Sequence, residues 1–201
     1  MRTRLATLAA LVALTLAACG GADTGSAPTA SVTAASQTDI AFAQSMIPHH
    51  EQAVEMADLA LDPQSESSPE VKKLATQIKA AQDPEITQMT GWLQQWGAPT
   101  AMPGASSAAS MPGMDHSGHD MGSMTVSGMM TAQDMSALSQ ARGTDFDRMW
   151  LTMMIAHHEG AITMAEQVQD SGNAQVGAMA DAIISGQQDE ITTMQGLLSA
   201  Q

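Results

Sequence analysis

MIPHHEQAVEMA, at Met46–Ala57, and MIAHHEGAITMA, at Met154–Ala165, are two copies of one motif. Each copy has a His-His pair with methionines on both sides, so the two copies contain four of the six histidines of the chain. Apolar residues recur every three or four positions in both copies, a spacing that predicts an amphipathic helix. We therefore expect the fold to be organised around two related helices.

The similarity between the two halves extends beyond this motif. A shift of 108 residues (49 to 157) aligns the His-His pairs, and a shift of 105 residues (85 to 190) aligns Glu85 with Glu190. The shift changes near residues 61–68 and 169–173, where we expect a loop in each half. Each half is then a helical hairpin with one apolar face, over residues 38–97 and 134–201. Two such hairpins bury those faces by packing together into an all-α four-helix bundle.

Two of the predicted helices begin with capping signals. Ser68 is followed by Pro69, and serine before a proline in the first turn is typical of a helix start. Thr144 lies three residues before Asp147, which resembles a capping box. We therefore expect one helix of the first hairpin to begin near Ser68 and one helix of the second hairpin to begin near Thr144.

Helical phase also sorts the polar side chains into inner and outer faces. Glu85 and Glu190 fall on apolar faces, each one turn after a glutamine, Gln82 or Gln187. The second histidine of each pair falls within the apolar stripe, and the first falls on its flank. Because an unpaired buried carboxylate is costly, we expect each of these glutamates to contact a histidine. The residues expected on the solvated faces are Glu51, Glu55, Asp58 and Glu159.

Two interpretations of this inner polar set remain open. In the first, glutamate and glutamine hold the imidazoles by hydrogen bonds and fix the register of the bundle. In the second, the histidines and the neighbouring methionines bind a metal ion. A duplicated His-His pair with flanking methionines favours the second interpretation, although buried methionine by itself is ordinary core packing.

The N-terminus predicts export. Two arginines in the first four residues precede an apolar run, Leu5–Ala18, that ends in small residues directly before Cys19. A charged start, a short apolar core and small residues at its end are typical of a secretory signal peptide. We expect a signal peptide over residues 1–18, lipidation of Cys19 as in bacterial lipoproteins, and a flexible tether over residues 19–37.

The charge balance limits the classes of partner. The chain has 21 acidic and 7 basic residues and a formal net charge of −14. Such a chain does not bind nucleic acid or anionic lipid through a basic patch, so the lipid anchor is the only membrane contact that we expect. Cys19 is the only cysteine, which excludes an intrachain disulfide.

Residues 98–133, between the two hairpins, predict a disordered linker. They lack apolar periodicity and are rich in glycine, proline and serine, yet they contain many methionines and the two remaining histidines. Methionine in a segment that cannot pack is difficult to explain as core. Thioether sulfur and imidazole favour Cu(I), whereas Mg²⁺ and Ca²⁺ need oxygen ligands and Zn²⁺ usually binds cysteine and histidine.

The two motif copies resemble the domain-of-unknown-function 305 family, whose halves carry a Met-Ile-x-His-His-x-x-Ala-x-x-Met-Ala signature. Gln82–Met89 and Gln187–Met194 also match its Gln-x-x-Glu-Ile-x-x-Met segment. The resemblance implies a ferritin-like four-helix bundle and, from members that are secreted copper-binding proteins, a role in copper resistance. It implies copper contacts for His49, His50, His157, His158 and the methionines near them.

From these observations we expect an exported, lipid-anchored protein of the periplasm or outer cell surface that binds copper, preferentially Cu(I). Copper buffering, storage or delivery is the expected role, with a copper exporter or metallochaperone as the class of partner and no enzymatic activity. The predicted metal ligands are His49, His50, Met46, Met56, His157, His158, Met154, Met164, Glu85, Glu190, Met89, Met194, Met111, Met114, His116, His119, Met121 and Met124.

Two alternatives are kept. A ferritin-like oxidoreductase with two irons would carry Glu-x-x-His on two helices. The residues three before the histidines here are Met46, Ile47, Met154 and Ile155, so that motif is missing. A structural envelope lipoprotein that binds no metal fits the predicted bundle but does not explain the methionines of the linker.

Overall fold

Helices make up the regular structure of the part of the chain that a computed structural model describes, residues 35–101 and 128–200. A short 3₁₀ helix, Pro63–Ser65, follows the first of them. The α-helices are α1 (Gln37–Leu61), α2 (Pro69–Gln95), α3 (Ala132–Gln140), α4 (Gly143–Glu166) and α5 (Ala174–Ser199). The expectation of an all-α fold is confirmed.

The four long helices form two hairpins that face each other. α1 packs mainly on α2, α4 packs mainly on α5, and the two hairpins meet chiefly where α1 contacts α4. The turns between the paired helices lie where the shift between the two halves of the sequence changes. The repeat in the sequence is therefore a repeat in the structure.

Of the two predicted helix caps, one is confirmed and one is wrong. Ser68 caps α2 as expected, since its hydroxyl accepts a hydrogen bond from the Val71 amide and Pro69 occupies the first turn. The predicted cap at Thr144 is wrong, because α4 begins at Gly143 without a side-chain cap. Instead, the Asp147 carboxylate accepts the Ser68 amide of the other hairpin, with both oxygens at 3.2 Å. Asp147 therefore makes a hydrogen bond between the hairpins in place of the capping interaction that was expected within its own helix.

The hydrogen bond to Asp147 has a counterpart in the other half. Asp39, which the repeat aligns with Asp147, accepts a hydrogen bond from the Ser171 hydroxyl at 2.6 Å. Burial would raise the pKa of Asp39, but the hydrogen bonds from Ser171 and Ser36 hold that pKa below its ordinary value. Each hairpin thus offers the start of one helix to the inter-helix turn of the other hairpin, which fixes how the two halves pack.

Helix α3 was not expected from the sequence. It has nine residues and begins with a capping box between Thr131 and Asp134. Leu138 is its one buried side chain, and a helix this short with one buried residue has too little apolar periodicity to be detected. The sequence signal that was available is the Thr131–Asp134 spacing itself.

The core consists of two apolar clusters at opposite ends of the bundle. Trp150 lies in the first cluster, where its indole N–H donates a 2.8 Å hydrogen bond to the Met56 carbonyl of α1. The first cluster comprises Ala53, Met56, Ala57, Ala60, Val71, Leu74, Ala75, Ile78, Leu138, Phe146, Trp150, Leu151, Met154, Ile191 and Met194. The second comprises Phe42, Ala43, Met46, Ile47, Met89, Trp92, Leu93, Ala161, Ala165, Val168, Val176, Met179, Ala180 and Ile183.

Several predictions concern residues outside the described part of the chain. They are the signal peptide, Cys19, the tether up to residue 34, and the linker residues Met111, Met114, His116, His119, Met121 and Met124. The tether was expected to extend to residue 37, but Ser36 caps α1 and Gln37 is its first residue. None of the helices within residues 35–101 and 128–200 combines the length and the apolar character that crossing a membrane requires.

Candidate metal centre

A polar layer separates the two apolar clusters at mid-height of the bundle. All four histidines of the repeated motif are completely buried there. The histidine layer, as we call it, comprises His49, His50, His157, His158, Gln82, Glu85, Gln187 and Glu190. Each of its residues comes from the middle of a long helix, so well-packed backbone positions the side chains on all sides.

His49 and His157 meet across the boundary between the hairpins. Their ring centroids are 3.7 Å apart and the ring planes are inclined by 38°. The sequence placed these two residues on the flanks of their apolar stripes, and in the structure each is completely buried. The flank of α1 and the flank of α4 form the contact between the two hairpins, so burial there depends on packing that one helix cannot reveal.

The second histidine of each pair binds a glutamate within its own hairpin. His50 Nε2 lies 2.8 Å from Glu85 Oε2, and His158 Nε2 lies 2.7 Å from Glu190 Oε2. The predicted pairing of each carboxylate with a histidine is confirmed. The glutamate side chains are 23% and 20% exposed, so each carboxylate joins a buried imidazole to the edge of the bundle.

The acids next to the histidines lie where helical phase placed them. The side chains of Glu51, Glu55, Asp58 and Glu159 are exposed. They do not contribute to the interior of the layer.

Several buried nitrogen and oxygen atoms of the layer lack a hydrogen-bond partner within the described residues. They are Nδ1 of His50, Nδ1 of His158, both ring nitrogens of His157, and the amide oxygen and nitrogen of Gln82 and of Gln187. A buried polar group left unsatisfied costs about 1–3 kcal/mol, and native proteins keep few of them. Their concentration in one layer makes the histidine layer the candidate binding site of the described part of the chain.

His157 is held in its neutral form. Burial, followed by the neighbouring rings of His49, His158 and His50, lowers the pKa of His157 to about 2, although the His49 backbone partly opposes the shift. A neutral imidazole is the form that coordinates a metal ion. The ring therefore needs no deprotonation to act as a ligand at neutral pH.

Methionines lie on both sides of the histidine layer. Met56, Met154 and Met194 are fully buried in the first cluster, and Met46 and Met89 are fully buried in the second. Met164 is partly buried against the second cluster. The six predicted bundle methionines thus surround the layer, as part of the apolar packing above and below it.

The donors of the layer are arranged in pairs. Within the described residues, no group of three or more His, Cys, Asp or Glu side chains is arranged to hold a metal ion. The structure instead shows a close contact between the His49 and His157 rings and two His–Glu contacts. A metal ion bound here therefore needs thioether donors in addition to imidazole, or a small shift of the rings. Imidazole and thioether donors suit a soft ion better than a hard one.

Comparison with known proteins finds one family, both by sequence and by structure. The family model described as domain of unknown function (DUF305) matches residues 39–198. A DUF305 protein from Streptomyces coelicolor, provisionally assigned as secreted, is 28% identical with a TM-score of 0.66, over 81% of this chain and 91% of that one. A DUF305 fragment from Deinococcus radiodurans is 30% identical with a TM-score of 0.66, over 83% of this chain and 99% of that one.

The protein CopM is also similar, and several of its structures are of metal-bound forms. CopM in the Cu(I)-bound form is 31% identical with a TM-score of 0.61, over 82% of this chain and 98% of CopM. CopM in the Cu(II)-bound form is 34% identical with a TM-score of 0.62, over 81% of this chain and 96% of CopM. No curated protein matches the chain.

Proposed function

This chain belongs to the DUF305 family, and from that premise we propose that it is an exported protein that binds copper, preferentially Cu(I), through its histidine layer. Its role is to buffer, store or deliver copper, or to protect against it. The observation that carries the proposal is that buried ring nitrogens of His50, His157 and His158 have no hydrogen-bond partner among the residues that the structure describes. The similarity to CopM, whose structures include Cu(I)- and Cu(II)-bound forms, supports copper as the ion.

The two His–Glu contacts fit this role chemically. In a neutral ring that contacts a carboxylate through Nε2, the proton is on Nε2 and the lone pair is on Nδ1. Nδ1 of His50 and Nδ1 of His158 are the nitrogens without a partner in the described part of the chain. A carboxylate that orients a histidine ligand through its other nitrogen is a common arrangement around protein-bound metals. Glu85 and Glu190 thus orient the rings as well as being candidate ligands.

The surroundings of the layer favour Cu(I) among the metals. Buried thioethers above and below the layer are neutral soft donors, which select Cu(I) and disfavour Mg²⁺ and Ca²⁺. The chain has a single cysteine, Cys19, so a zinc site of the usual cysteine-rich kind is excluded. His49 and His157 bring one imidazole from each hairpin to the same place.

The remaining predicted ligands belong to the linker and complete the proposal. Met111, Met114, His116, His119, Met121 and Met124 provide additional copper capacity of lower affinity, because ordering a segment whose sequence predicts disorder opposes each binding event. Export by the N-terminal signal and lipidation of Cys19 place the protein in the cell envelope, away from cytosolic thiols that compete for Cu(I). Copper transfer to an exporter or a metallochaperone is the corresponding class of interaction.

An anaerobic Cu(I) titration against a chromophoric competitor tests the proposal. We expect the full chain to bind several Cu(I) ions, with at least one that the competitor removes poorly. A linker-substituted variant, in which the methionines and histidines of residues 102–127 are replaced by serine, should bind less copper and retain the tightest site.

Zn²⁺ and Fe²⁺ serve as controls in that titration, and neither should occupy the tight site in competition with Cu(I). Loss of all Cu(I) binding in the linker-substituted variant would mean that the histidine layer is a structural network. Consumption of dioxygen by an iron-loaded sample would favour the ferritin-like oxidoreductase instead.

A further inference from the structure

Gln82 and Gln187 are buried amide side chains that take no part in the contacts within the histidine layer. They occupy equivalent positions of the repeat and are only 2% and 4% exposed. The oxygen and the nitrogen of both amides lack a hydrogen-bond partner within residues 35–101 and 128–200. Buried amides in native proteins usually pair at least one of these atoms, because an unsatisfied one lowers stability. The two glutamines are thus polar groups of the layer that remain available to a ligand.

The register of each hairpin places each glutamine opposite an alanine. The His–Glu contact of the first hairpin fixes the level of α1 against α2. Because the two helices are antiparallel, three residues back along α2 (85 to 82) correspond to three residues forward along α1 (50 to 53). Gln82 is therefore level with Ala53, and the same count from the second His–Glu contact puts Gln187 level with Ala161. Both alanines are completely buried, and their small side chains leave room beside the amides.

The two amides lie at opposite boundaries of the layer but on its inner side. Ala53 belongs to the first apolar cluster and Ala161 belongs to the second. Each glutamine is three residues before a glutamate that contacts a buried imidazole, so it shares that face of its helix. Two kinds of neutral donor therefore accompany the imidazoles, which are the thioethers of the buried methionines and the amides of the glutamines.

These two kinds of donor suit different oxidation states of copper. Cu(I) prefers thioether sulfur together with imidazole, whereas Cu(II) prefers nitrogen and oxygen donors. An exported copper protein meets both oxidation states, because the space outside the cytosol is oxidising. One oxygen of each layer carboxylate already contacts a histidine, whereas the amide oxygens have no partner within the described part of the chain. The amide oxygens are therefore the neutral oxygen donors that best complement the imidazoles.

We propose that Gln82 and Gln187 are ligand residues for Cu(II). The histidine layer then holds Cu(II) through imidazole nitrogen and amide oxygen, and Cu(I) through imidazole nitrogen and thioether sulfur. This inference rests on the proposed function and adds a second oxidation state of the same ion, with its own donors. It concerns binding alone, and no electron is transferred.

A titration with Cu(II), monitored by electron paramagnetic resonance against a competing chelator, tests the inference. The linker-substituted variant is the background, so that ligands outside the described residues do not contribute. Gln82→Leu combined with Gln187→Leu removes both amides and keeps apolar side chains of similar size. We expect the Cu(II) affinity to fall at least about tenfold, while the Cu(I) affinity stays unchanged. The spectrum of bound Cu(II) should lose the contribution of the amide oxygens and keep the nitrogen hyperfine coupling of imidazole.

The midpoint potential of the bound copper gives an independent measurement. Weaker binding of Cu(II) alone raises the potential of the Cu(II)/Cu(I) couple, by about 59 mV for a tenfold loss of affinity. The matched control is Gln88→Leu, which replaces an exposed glutamine three residues after Glu85. This control should change neither affinity nor the potential.

Urea unfolding of the metal-free double variant separates a ligand role from a structural one. We expect its stability to be unchanged or higher, since leucine removes two unsatisfied amides. A loss of stability would show that the amides pair within the protein, and it would overturn the inference.

The binding outcomes are also decisive. If the background binds no Cu(II), or if the double variant loses affinity for neither oxidation state or equally for both, the inference is wrong and the proposed function stands. Failure of the background to bind Cu(I) tightly would instead contradict the proposed function.

Discussion

Replacing His157 by leucine should lower the Cu(I) affinity of the histidine layer by at least about 100-fold, because loss of a ligand costs at least as much as loss of the groups that support one. The same change should leave the stability of the metal-free protein unchanged or higher. Neither nitrogen of this buried ring has a hydrogen-bond partner within residues 35–101 and 128–200, and an apolar side chain of similar size removes that cost. Opposite effects on affinity and stability are typical of a functional residue.

Competition titration measures the affinity, and urea unfolding of the metal-free protein measures the stability. The matched control is Glu159→Gln, a change two residues later at an exposed position of the same helix, which should alter neither quantity. A large loss of stability with unchanged Cu(I) affinity would show that His157 belongs to a structural network.

The metal-free protein should also lose stability steeply on mild acidification. The pKa of His157 is lowered from 6.5 to about 2 in the folded state, so the unfolded chain binds the additional proton between these values. Stability from this residue is therefore fully present above pH 6.5 and decreases as the pH falls. The decrease approaches about 1.4 kcal/mol per pH unit for one proton.

Urea unfolding at pH values between 4.5 and 7 checks this prediction. His157→Leu should remove about one proton from the pH dependence in that range. Asp39 does not interfere, because its pKa lies below 3.8 and its contribution is lost only at lower pH. Identical slopes for the wild type and His157→Leu would mean that His157 titrates normally and is not held neutral by burial.

Much of the bundle could be predicted because its information is local and duplicated. Apolar spacing located the four long helices, and the alignment of the two halves located both inter-helix turns. The pairing of Glu85 with His50 and of Glu190 with His158 followed from helical phase together with the cost of an unpaired buried carboxylate. Each of these features depends on one helix or on one hairpin.

The features that could not be predicted depend on how the hairpins meet. The contact between His49 and His157 and the Asp147 contact that replaces the Thr144 cap both cross from one hairpin to the other. The two hydrogen bonds between the Gln52 side chain and the Met130 backbone also join residues far apart, since 78 positions separate them in sequence. The difference between Gln52 and Gly160 gave no warning of this contact, because the two motif copies also differ at Pro48 and Ala156 and at two further positions.

X-ray absorption at the copper edge, on the linker-substituted variant loaded with one equivalent of Cu(I), tests the central claim most directly. With the linker ligands removed, the remaining copper reports on the bundle. We expect copper to be coordinated by both nitrogen and sulfur, with the outer-shell scattering of imidazole. That imidazole signal should be lost when His49, His50, His157 and His158 are replaced by alanine. A shell of sulfur alone, or a spectrum that the histidine replacements do not change, would contradict the claim.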